Sequence, residues 1–341
     1  MSQRSSSSVT IRDVARKAGV SVATVSRYIN QNAKVSPGVS ERLDTVLAEL
    51  KYVPHAAARH LAGGKTKVIG LLLNNLHNDF FVPLLNGVEA VVRQKGYNLI
   101  IATYHGDFRK EMPAPIGPHN TDGLLVFSDG LTDEDLARLN SVGFPMVLVH
   151  RTPPPLTLIP SVTVENIEIT HTLVEHLIKV HGKRRILFLR GPINQEDSSR
   201  REAGYKSALQ ANGLPFDENL ILNGEFERDV AYEAMHAFLE NDNHAEFDAV
   251  FTGDDDAAIG VLRALQMHNF QIPDQIAVVG FDDLGFAPFL NPPLTTVRAP
   301  TEAVGRIATE RLFGLLENQP SDEVTMLPTE IIFRRSCGCN N

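Results

Sequence analysis

Short apolar runs alternate with segments of helical periodicity from Val68 to the C-terminus. Seven runs predict strands, and a further strand is predicted near residue 331: residues 68–74, 98–104, 123–127, 145–149, 184–191, 248–253 and 275–281. Between them lie predicted amphipathic helices, which end near Lys95, Val180, Ala211, His268 and Leu316. This alternation is typical of parallel sheets joined by crossover helices. Roughly 270 residues of it predict two α/β lobes around a cleft, with a ligand site at the carboxyl ends of the strands.

The first fifty residues follow a different pattern, that of three short helices. The first helix is predicted to begin at Thr10, in a capping-box arrangement with Asp13. Ser21 caps the second helix, and Ser36 followed by Pro37 starts the third. Apolar residues at helical spacing predict one shared cluster: Val14, Ala15, Ala18, Val25, Ile29, Leu43, Val46, Leu47 and Leu50. The pattern fits a helix-turn-helix unit or a generic three-helix module with a solvated positive face.

The outward face of the second helix is small, polar and cationic, which suits a helix that enters the major groove of DNA. Arg27 can reach guanine or phosphate, while Val22 and Ala23 can touch a thymine methyl group. Thr24 and Ser26 can bond phosphates. The predicted DNA-contacting residues in this region are Thr10, Ser21, Val22, Ala23, Thr24, Ser26, Arg27 and Asn30.

Charge is distributed unevenly along the chain. Residues 1–65 hold 10 Lys and Arg against 4 Asp and Glu, whereas the other 276 residues hold 22 against 37, so a head of +6 precedes a body of −15. Phosphate binding depends on local cation density through counterion release, so the overall charge of −9 does not exclude a nucleic-acid partner. The distribution favours a DNA-binding head.

Composition argues against a membrane protein and a secreted protein. The 341 residues are 43% hydrophobic, as in a globular chain with a sizeable core, and no apolar run approaches the roughly 20 residues of a membrane span. Residues 1–8 lack the apolar core of a signal peptide, which predicts a cytoplasmic protein with no membrane partner. Cys337 and Cys339 are interpreted as a reduced pair, with metal or redox use as the alternative.

Two segments carry a resemblance to a known family. The sequence TIRDVARKAGVSVATVSR from Thr10, followed by YVPHAAARHLAGGKT from Tyr52, resembles the lactose/galactose repressor family, and the similarity continues almost to the C-terminus. The resemblance implies an all-α helix-turn-helix headpiece and a periplasmic-binding-protein-like α/β core. That core consists of two parallel-sheet lobes, and its chain crosses between them three times.

The same resemblance implies where the domains and lobes begin and end. The implied boundaries are a headpiece over 1–53, a hinge helix and linker over 54–66, and an effector-binding and dimerisation core over 67–341. Within the core, the implied ranges are about 67–164 and 293–322 for lobe one, and about 165–292 and 323–335 for lobe two.

In this family, the segment after the headpiece forms a hinge helix on operator DNA, and a leucine of each subunit enters the minor groove. Leu61 matches that leucine, and Ala58 lies one helical turn before it. An apolar side chain inserted at a flexible base step costs unstacking energy, but it bends the DNA and increases its contact with the protein. Ala58 and Leu61 are therefore further predicted DNA contacts. His55 stands where the family has asparagine, a better helix cap.

Polar and aromatic residues occur at the positions where the family binds its effector. Asn74 and Asn75 lie at the end of the first predicted strand and are candidate cleft residues, and Phe80 and Phe81 start the next helix. Arg201 matches the family's effector-binding arginine. Aromatic faces with carboxylate, amide and guanidinium groups suit a sugar ring and its hydroxyls. The predicted effector-binding set is Asn74, Phe80, Phe81, Gln195, Asp197, Arg201, Phe226, Asp254 and Asp282.

Each of these residues has a structural alternative: core packing for the phenylalanines, a helix cap for Asp254, a solvated ion pair for Arg201. Acidic clusters at 254–256 and 282–283 could indicate a metal or a catalytic pair, but capping and hydroxyl binding explain them. Three histidines recur at intervals of five, which turns them around a helix and away from a common metal: His171, His176 and His181. The sequence therefore predicts no metal, no cofactor and no catalytic activity.

The class of effector follows from the lip of the predicted cleft. Gln195 and Asp197 make that lip polar and acidic, whereas the purine-responsive branch of the family has a cation at the position of Gln195. A neutral sugar is therefore favoured over a purine or a sugar phosphate.

Residues 107–121 hold three prolines, which exclude the long helix that borders the partner subunit in relatives. A homodimer, with association into a tetramer left open, is still predicted.

The expected function is that of a homodimeric repressor that binds a pseudo-palindromic operator and is released by a small sugar. Corepression, in which the ligand favours the DNA-bound form, is the alternative within the family. A solute-binding protein would share the core but needs a signal peptide and no basic head. An enzyme would need a catalytic constellation, which the sequence does not offer.

Overall fold

The computed structural model describes residues 9–29, 35–52, 65–76, 79–103, 115–128, 130–241, 244–319, 321 and 323–340. The chain divides into two compact units, Met1–Thr66 and Lys67–Asn341. Within the described ranges, no helix combines the length and the apolar character needed to cross a membrane.

The described residues of the first unit form three helices around one apolar cluster. They are α1 (Ile11–Ala18), α2 (Val22–Ile29) and α3 (Pro37–Glu49). The backbone N–H of Thr10 donates to Asp13 at 3.0 Å, and that of Thr24 donates to the hydroxyl of Ser21 at 3.1 Å, so the caps predicted for the first two helices form. Ser36 precedes the third helix as predicted, but its side chain makes no capping hydrogen bond. Gly19 ends α1 with a φ of 66°, the left-handed conformation that glycine adopts without steric cost. The buried cluster consists of Val14, Ala15, Ala18, Val25, Leu43 and Val46.

The second unit contains two six-stranded sheets. In the first sheet, all neighbours are parallel and the order is β11 (Val324–Leu327), β5 (Ser161–Val164), β4 (Met146–Val149), β3 (Gly123–Phe127), β1 (Val68–Leu73) and β2 (Asn98–Thr103). Among the described residues, the helices of this lobe are α4 (Phe81–Gln94), α5 (Asp133–Ser141) and α10 (Thr301–Leu316). Strands β3, β4 and β5 are buried at every position, as expected for a sheet covered on both faces.

The second sheet has the same form except at one edge. Its order is β12 (Glu330–Ile332), β10 (Thr295–Arg298), β9 (Ala277–Asp282), β8 (Ala249–Thr252), β6 (Ile186–Arg190) and β7 (Ile221–Asn223). Only β12 among these strands runs antiparallel to its neighbour. Its lobe holds α6 (Ile167–Lys179), α7 (Glu196–Ala211), α8 (Arg228–Glu240) and α9 (Asp255–Met267).

The predicted lobe boundaries are wrong at two places. The resemblance implies that residues 293–322 belong to lobe one, but β10 pairs with β9 in the second sheet, so the chain crosses only after Arg298. It also implies that residues 323–335 belong to lobe two, but β11 pairs with β5 in the first sheet, and the chain crosses again after Leu327. The remaining crossing follows Val164. Strands β5, β7, β10 and β11 are short and partly polar, and the apolar-run pattern did not identify them.

Glycines bring helix pairs of both lobes into close contact. A side chain at Gly87 of α4 would lie 2.1 Å from the carbonyl oxygen of Glu302 at the start of α10, and one at Gly305 of α10 would lie 2.4 Å from that of Leu84. In lobe two, Gly260 of α9 is similarly close to the backbone of α8. These helices therefore approach backbone to backbone, at a distance that any larger residue would prevent.

We expect Gly305→Ala to destabilise the second unit by about 1–3 kcal/mol, because the added methyl group meets backbone that cannot move aside. Gly314→Ala is the matched control in the same helix, since its nearest neighbour would be 3.7 Å away. The control should be neutral or stabilising by up to about 1 kcal/mol, because alanine favours a helix interior. Denaturant unfolding measures both values, and equal effects of the two substitutions would contradict the packing argument.

Candidate functional site

A cavity of about 190 Å³ lies between the two lobes at the carboxyl ends of their strands. All nine predicted effector residues line it: Asn74, Phe80, Phe81, Gln195, Asp197, Arg201, Phe226, Asp254 and Asp282. Asn75, the other strand-end candidate, also lines it. Four residues that the sequence analysis did not assign to the site complete the lining: Phe127, Pro192, Glu225 and Glu227. The volume is below the roughly 300–1,000 Å³ of drug-sized pockets, so the cavity suits a ligand the size of a monosaccharide.

Aromatic rings form two walls of the cavity. On the side of lobe one, Phe80, Phe81 and Phe127 pack edge to face, with ring centroids 5.3–5.8 Å apart. On the side of lobe two, the ring of Phe226 occupies space that Gly191 leaves open, because a side chain at Gly191 would lie 2.2 Å from it. The site can thus offer aromatic faces to a flat, apolar ligand surface from both lobes.

Arg201 is fixed in place by contacts on every side. Its Nε donates to Oδ1 of Asn166 at 2.9 Å, and its Nη1 donates to the carbonyl oxygen of Gly253 at 2.5 Å. The guanidinium carbon lies 3.6 Å from the ring centroid of Phe281, and Nη2 lies 3.5 Å from Oδ1 of Asp282. The side chain is 3% exposed, so its donors are oriented before any ligand arrives.

Two buried carboxylates face the same cavity. Oδ1 of Asp254 accepts from the N–H of Ala257 at 2.9 Å and so caps α9. Burial, reinforced by the charge of Asp282, raises the pKa of Asp254 well above its ordinary value. Burial also raises the pKa of Asp282, although Arg201 opposes the effect. Among the described residues, Oδ1 of Asp282 accepts no hydrogen bond, which leaves a buried acceptor for a ligand hydroxyl.

The neighbouring acids serve the structure. Asp255 accepts from the hydroxyl of Thr296 at 2.6 Å and from the N–H of Leu284 at 2.9 Å. Asp256 pairs with Arg228 at the start of α8. These bonds account for two of the three consecutive aspartates without a metal.

The lobes also contact each other directly, through residues that the sequence analysis partly missed. His150, which directly follows β4, has its Nδ1 2.8 Å from Oδ2 of Asp197. The other carboxylate oxygen of Asp197 accepts from Asn166 at 2.9 Å. Burial alone would raise the pKa of Asp197, but His150 and Arg201 outweigh it and lower that pKa. A position just after a predicted strand, as for Asn74, was the signal that could have identified His150.

In the first unit, α2 exposes the predicted DNA-reading face. Val22 is 42% exposed, Ala23 and Arg27 are exposed as well, and Nε of Arg27 donates to the carbonyl oxygen of Ala23 at 3.2 Å. Thr10 is occupied at the cap, where its hydroxyl donates to Asp13 at 2.6 Å. Several predicted features lie outside the described residues: Asn30, His55, Ala58, Leu61 and, of the proline-containing segment 107–121, residues 107–114.

The expectation that three histidines point apart is wrong for two of them. His181 lies beyond the end of α6, so helical spacing does not govern its direction, and its Nε2 is 3.0 Å from that of His176. The thiol sulfur of Cys339 lies 3.4 Å from His176 and 3.5 Å from His181. His171 points elsewhere, toward the hydroxyl of Ser207.

Comparison with known proteins places the two units in one family. Residues 10–55 match the family described as bacterial regulatory proteins, lacI family, and residues 174–337 match a periplasmic binding protein-like domain. Catabolite control protein A of Priestia megaterium is 32% identical over 96% of this chain and 99% of its own length. The chain belongs to the lacI family. This LacI-family chain is also 32% identical to the HTH-type transcriptional repressor PurR of Vibrio atlanticus, over 95% of this chain and 97% of the relative.

Solved structures agree over nearly the whole length of this LacI-family regulator. The transcriptional regulator CelR in complex with cellobiose is 29% identical, with a TM-score of 0.70, over 96% of this chain and 99% of that one. The lac repressor dimer bound to operator and the anti-inducer ONPF is 25% identical, with a TM-score of 0.74, over 97% and 99%. The headpiece and the two-lobed core are therefore those of a LacI-family transcriptional regulator, and the relatives are regulators of transcription.

We expect Asp254→Asn to stabilise this regulator at pH 7 by roughly 1–3 kcal/mol, because the amide oxygen can keep the cap while a buried charge is removed. A raised carboxyl pKa contributes stability that is complete below the ordinary value of 3.8 and is lost as pH rises through the folded value. The gain from the substitution should therefore shrink as pH falls toward 3.8, as free energies of unfolding across pH would reveal.

Asp217→Asn is the control for this substitution. Asp217 also accepts a backbone N–H at the start of a short helix, that of Asn219 at 3.0 Å, but its side chain is 34% exposed. No comparable gain is expected there. A loss of stability for Asp254→Asn that is equal at all pH values would contradict the role given to the buried charge.

Proposed function

We propose that the protein is a homodimeric repressor whose two headpieces bind a pseudo-palindromic operator. Binding of a small neutral sugar releases the repressor from this DNA. The observation that carries the sugar proposal is the cavity itself. It combines aromatic rings from both lobes with a fixed arginine fork and a buried carboxylate oxygen that accepts no hydrogen bond from the described residues. A pyranose ring offers C–H faces to the rings and paired hydroxyls to Arg201 and Asp282.

The charge of the lining favours a neutral ligand. Among the described lining residues, one cation stands against five acids: Arg201 against Asp197, Glu225, Glu227, Asp254 and Asp282. An anionic ligand such as a sugar phosphate would meet this excess of negative charge in a buried site. The relative CelR was solved with cellobiose, which supports a carbohydrate ligand, although a cavity of about 190 Å³ favours a smaller sugar.

On DNA, we propose that α2 enters the major groove, with Arg27 as the base or phosphate contact. Val22 and Ala23 are exposed beside it, as contacts to thymine methyl groups require. Ala58 and Leu61 are proposed as minor-groove contacts of a hinge helix by their match to the family pattern. The relative that was solved as a dimer on operator supports two headpieces on successive half-sites.

Ligand control follows from the fact that both lobes line the cavity. A sugar that touches Phe80 on one lobe and Arg201 on the other binds the closed arrangement more tightly than an open one. Because a ligand shifts an equilibrium only by its differential affinity, the proposed effect is a population shift away from the DNA-binding state. Corepression is the second candidate, because a ligand that binds the DNA-binding arrangement more tightly would shift the same equilibrium in the opposite direction.

The test is fluorescence anisotropy on a pseudo-palindromic duplex with a central CG step, at one fixed salt concentration, with a panel of neutral monosaccharides and disaccharides. We expect one sugar to weaken binding by roughly 5- to 150-fold, the range of typical allosteric couplings. Tightening by a purine or another ligand would instead support corepression. Binding no stronger than to scrambled DNA would contradict the repressor proposal.

Arg201→Lys gives the matched variant for the sugar step. It should weaken sugar binding by roughly 10- to 100-fold, because lysine cannot reproduce the planar donor fork. Arg200→Lys is the control on the same helix, since Arg200 pairs with Glu196 and does not line the cavity. If calorimetry finds that both variants bind the sugar with the affinity of the wild type, Arg201 does not contribute to sugar binding.

For DNA, Arg27→Ala should abolish operator binding while leaving sugar binding intact, because the side chain lies on the proposed reading face and outside the headpiece core. Arg42→Ala, an exposed arginine on α3, is the control and should retain most of the affinity. Anisotropy measures both variants, with circular dichroism as a check of folding. Unchanged operator binding by Arg27→Ala would rule out the proposed reading helix.

A further inference from the structure

We infer that His176, His181, Cys337 and Cys339 form a zinc site that ties the C-terminal tail of the protein to the end of α6. Their ligand atoms, two imidazole nitrogens and two sulfurs, all lie within 4.8 Å of one another. This set lies apart from the effector cavity, since none of its members lines that cavity. The inference is therefore independent of the proposed function.

The distances are close to those of a tetrahedral zinc site. With Zn–N of about 2.0–2.1 Å and Zn–S of about 2.3 Å, a tetrahedron has edges of about 3.3 Å between nitrogens and about 3.6 Å between nitrogen and sulfur. The two Nε2 atoms are 3.0 Å apart, and Sγ of Cys339 is 3.4 Å and 3.5 Å from them. Three of the four ligands thus already surround a common centre, and the fourth lies within side-chain reach of it.

The local fold holds these groups together. Gly338, between the two cysteines, has a φ of 108°, and a side chain there would lie 2.9 Å from Nδ1 of His181. Ser336, next to Cys337, is buried and its hydroxyl donates to the carbonyl oxygen of Val278 at 2.6 Å. The ring of Phe333 packs on His176, with centroids 4.4 Å apart. Only glycine fits between the cysteines, so the turn that presents both sulfurs follows from the sequence.

The donor set selects the metal. Thiolate sulfur with imidazole nitrogen suits Zn²⁺, whereas Mg²⁺ and Ca²⁺ require oxygen ligands. Because His181 and Cys339 are far apart in sequence, a metal between them would close a long loop and stabilise lobe two.

The test uses the full chain, without a histidine tag, purified from zinc-containing medium. Metal analysis by mass spectrometry should find about one zinc per chain, and replacement by Co²⁺ should give the intense visible absorption of a tetrahedral site with sulfur ligands. Cys339→Ser and His181→Gln should each lose the zinc. His171→Gln should keep it, because that histidine lies on the same helix but contacts Ser207.

Chelation distinguishes loss of metal from misfolding of a variant. A chelator should lower the Tm of the wild-type protein and of His171→Gln but leave that of Cys339→Ser unchanged. A zinc-free wild-type chain with two free thiols would overturn the inference, as would a Cys337–Cys339 disulfide detected by intact mass. Zinc that binds Cys339→Ser as well as the wild type would assign the metal to another site and would equally overturn it.

Discussion

A buried guanidinium organises the cleft. Arg201 lies in lobe two with almost no access to water, and a buried charge without partners would cost several kcal/mol. A chain of hydrogen bonds compensates this charge. Asn166 accepts from the arginine and donates to Asp197, and Asp197 bonds to His150 of the other lobe. The need to neutralise one cation therefore extends from the floor of lobe two across the cleft, and it links ligand recognition to contact between the lobes.

For two acids near that cation, the cost of burial exceeds the stabilisation that their partners provide. Asp254 and Asp282 both have raised pKa values because burial outweighs their compensation, so the ligand-free cleft is less stable than an apolar one would be. A ligand hydroxyl that donates to Asp282 would relieve part of this cost, and it would do so only when the cavity is closed around it. Differential affinity for the closed state, which any population shift requires, thus has a physical source in these two carboxylates.

Much of the fold was predictable from the sequence, because continuous apolar runs report strands that are buried on both faces. Part of the cavity was predictable for a related reason: the carboxyl ends of parallel strands converge, so a position directly after a predicted strand brought Asn74 to the cleft. Arg201, Asp254 and Asp282 were placed there by their match to the family's effector positions. The lobe boundaries were not predictable, because β10 and β11 are assigned to their sheets by pairing with distant strands and not by their own composition. His150 was not identified because its position directly after a predicted strand was not used as a signal.

Adjacent residues in sequence acquire separate roles because the backbone turns between them. Asp254, Asp255 and Asp256 begin α9, where each step rotates the side chain by about 100°. One therefore caps the helix at the cavity, the next bonds to Thr296, and the third pairs with Arg228. The converse holds for His176 and His181, whose spacing argues for separation on a helix. The helix ends at Lys179, so helical rotation does not set the direction of His181, and two rings that periodicity would separate come into contact.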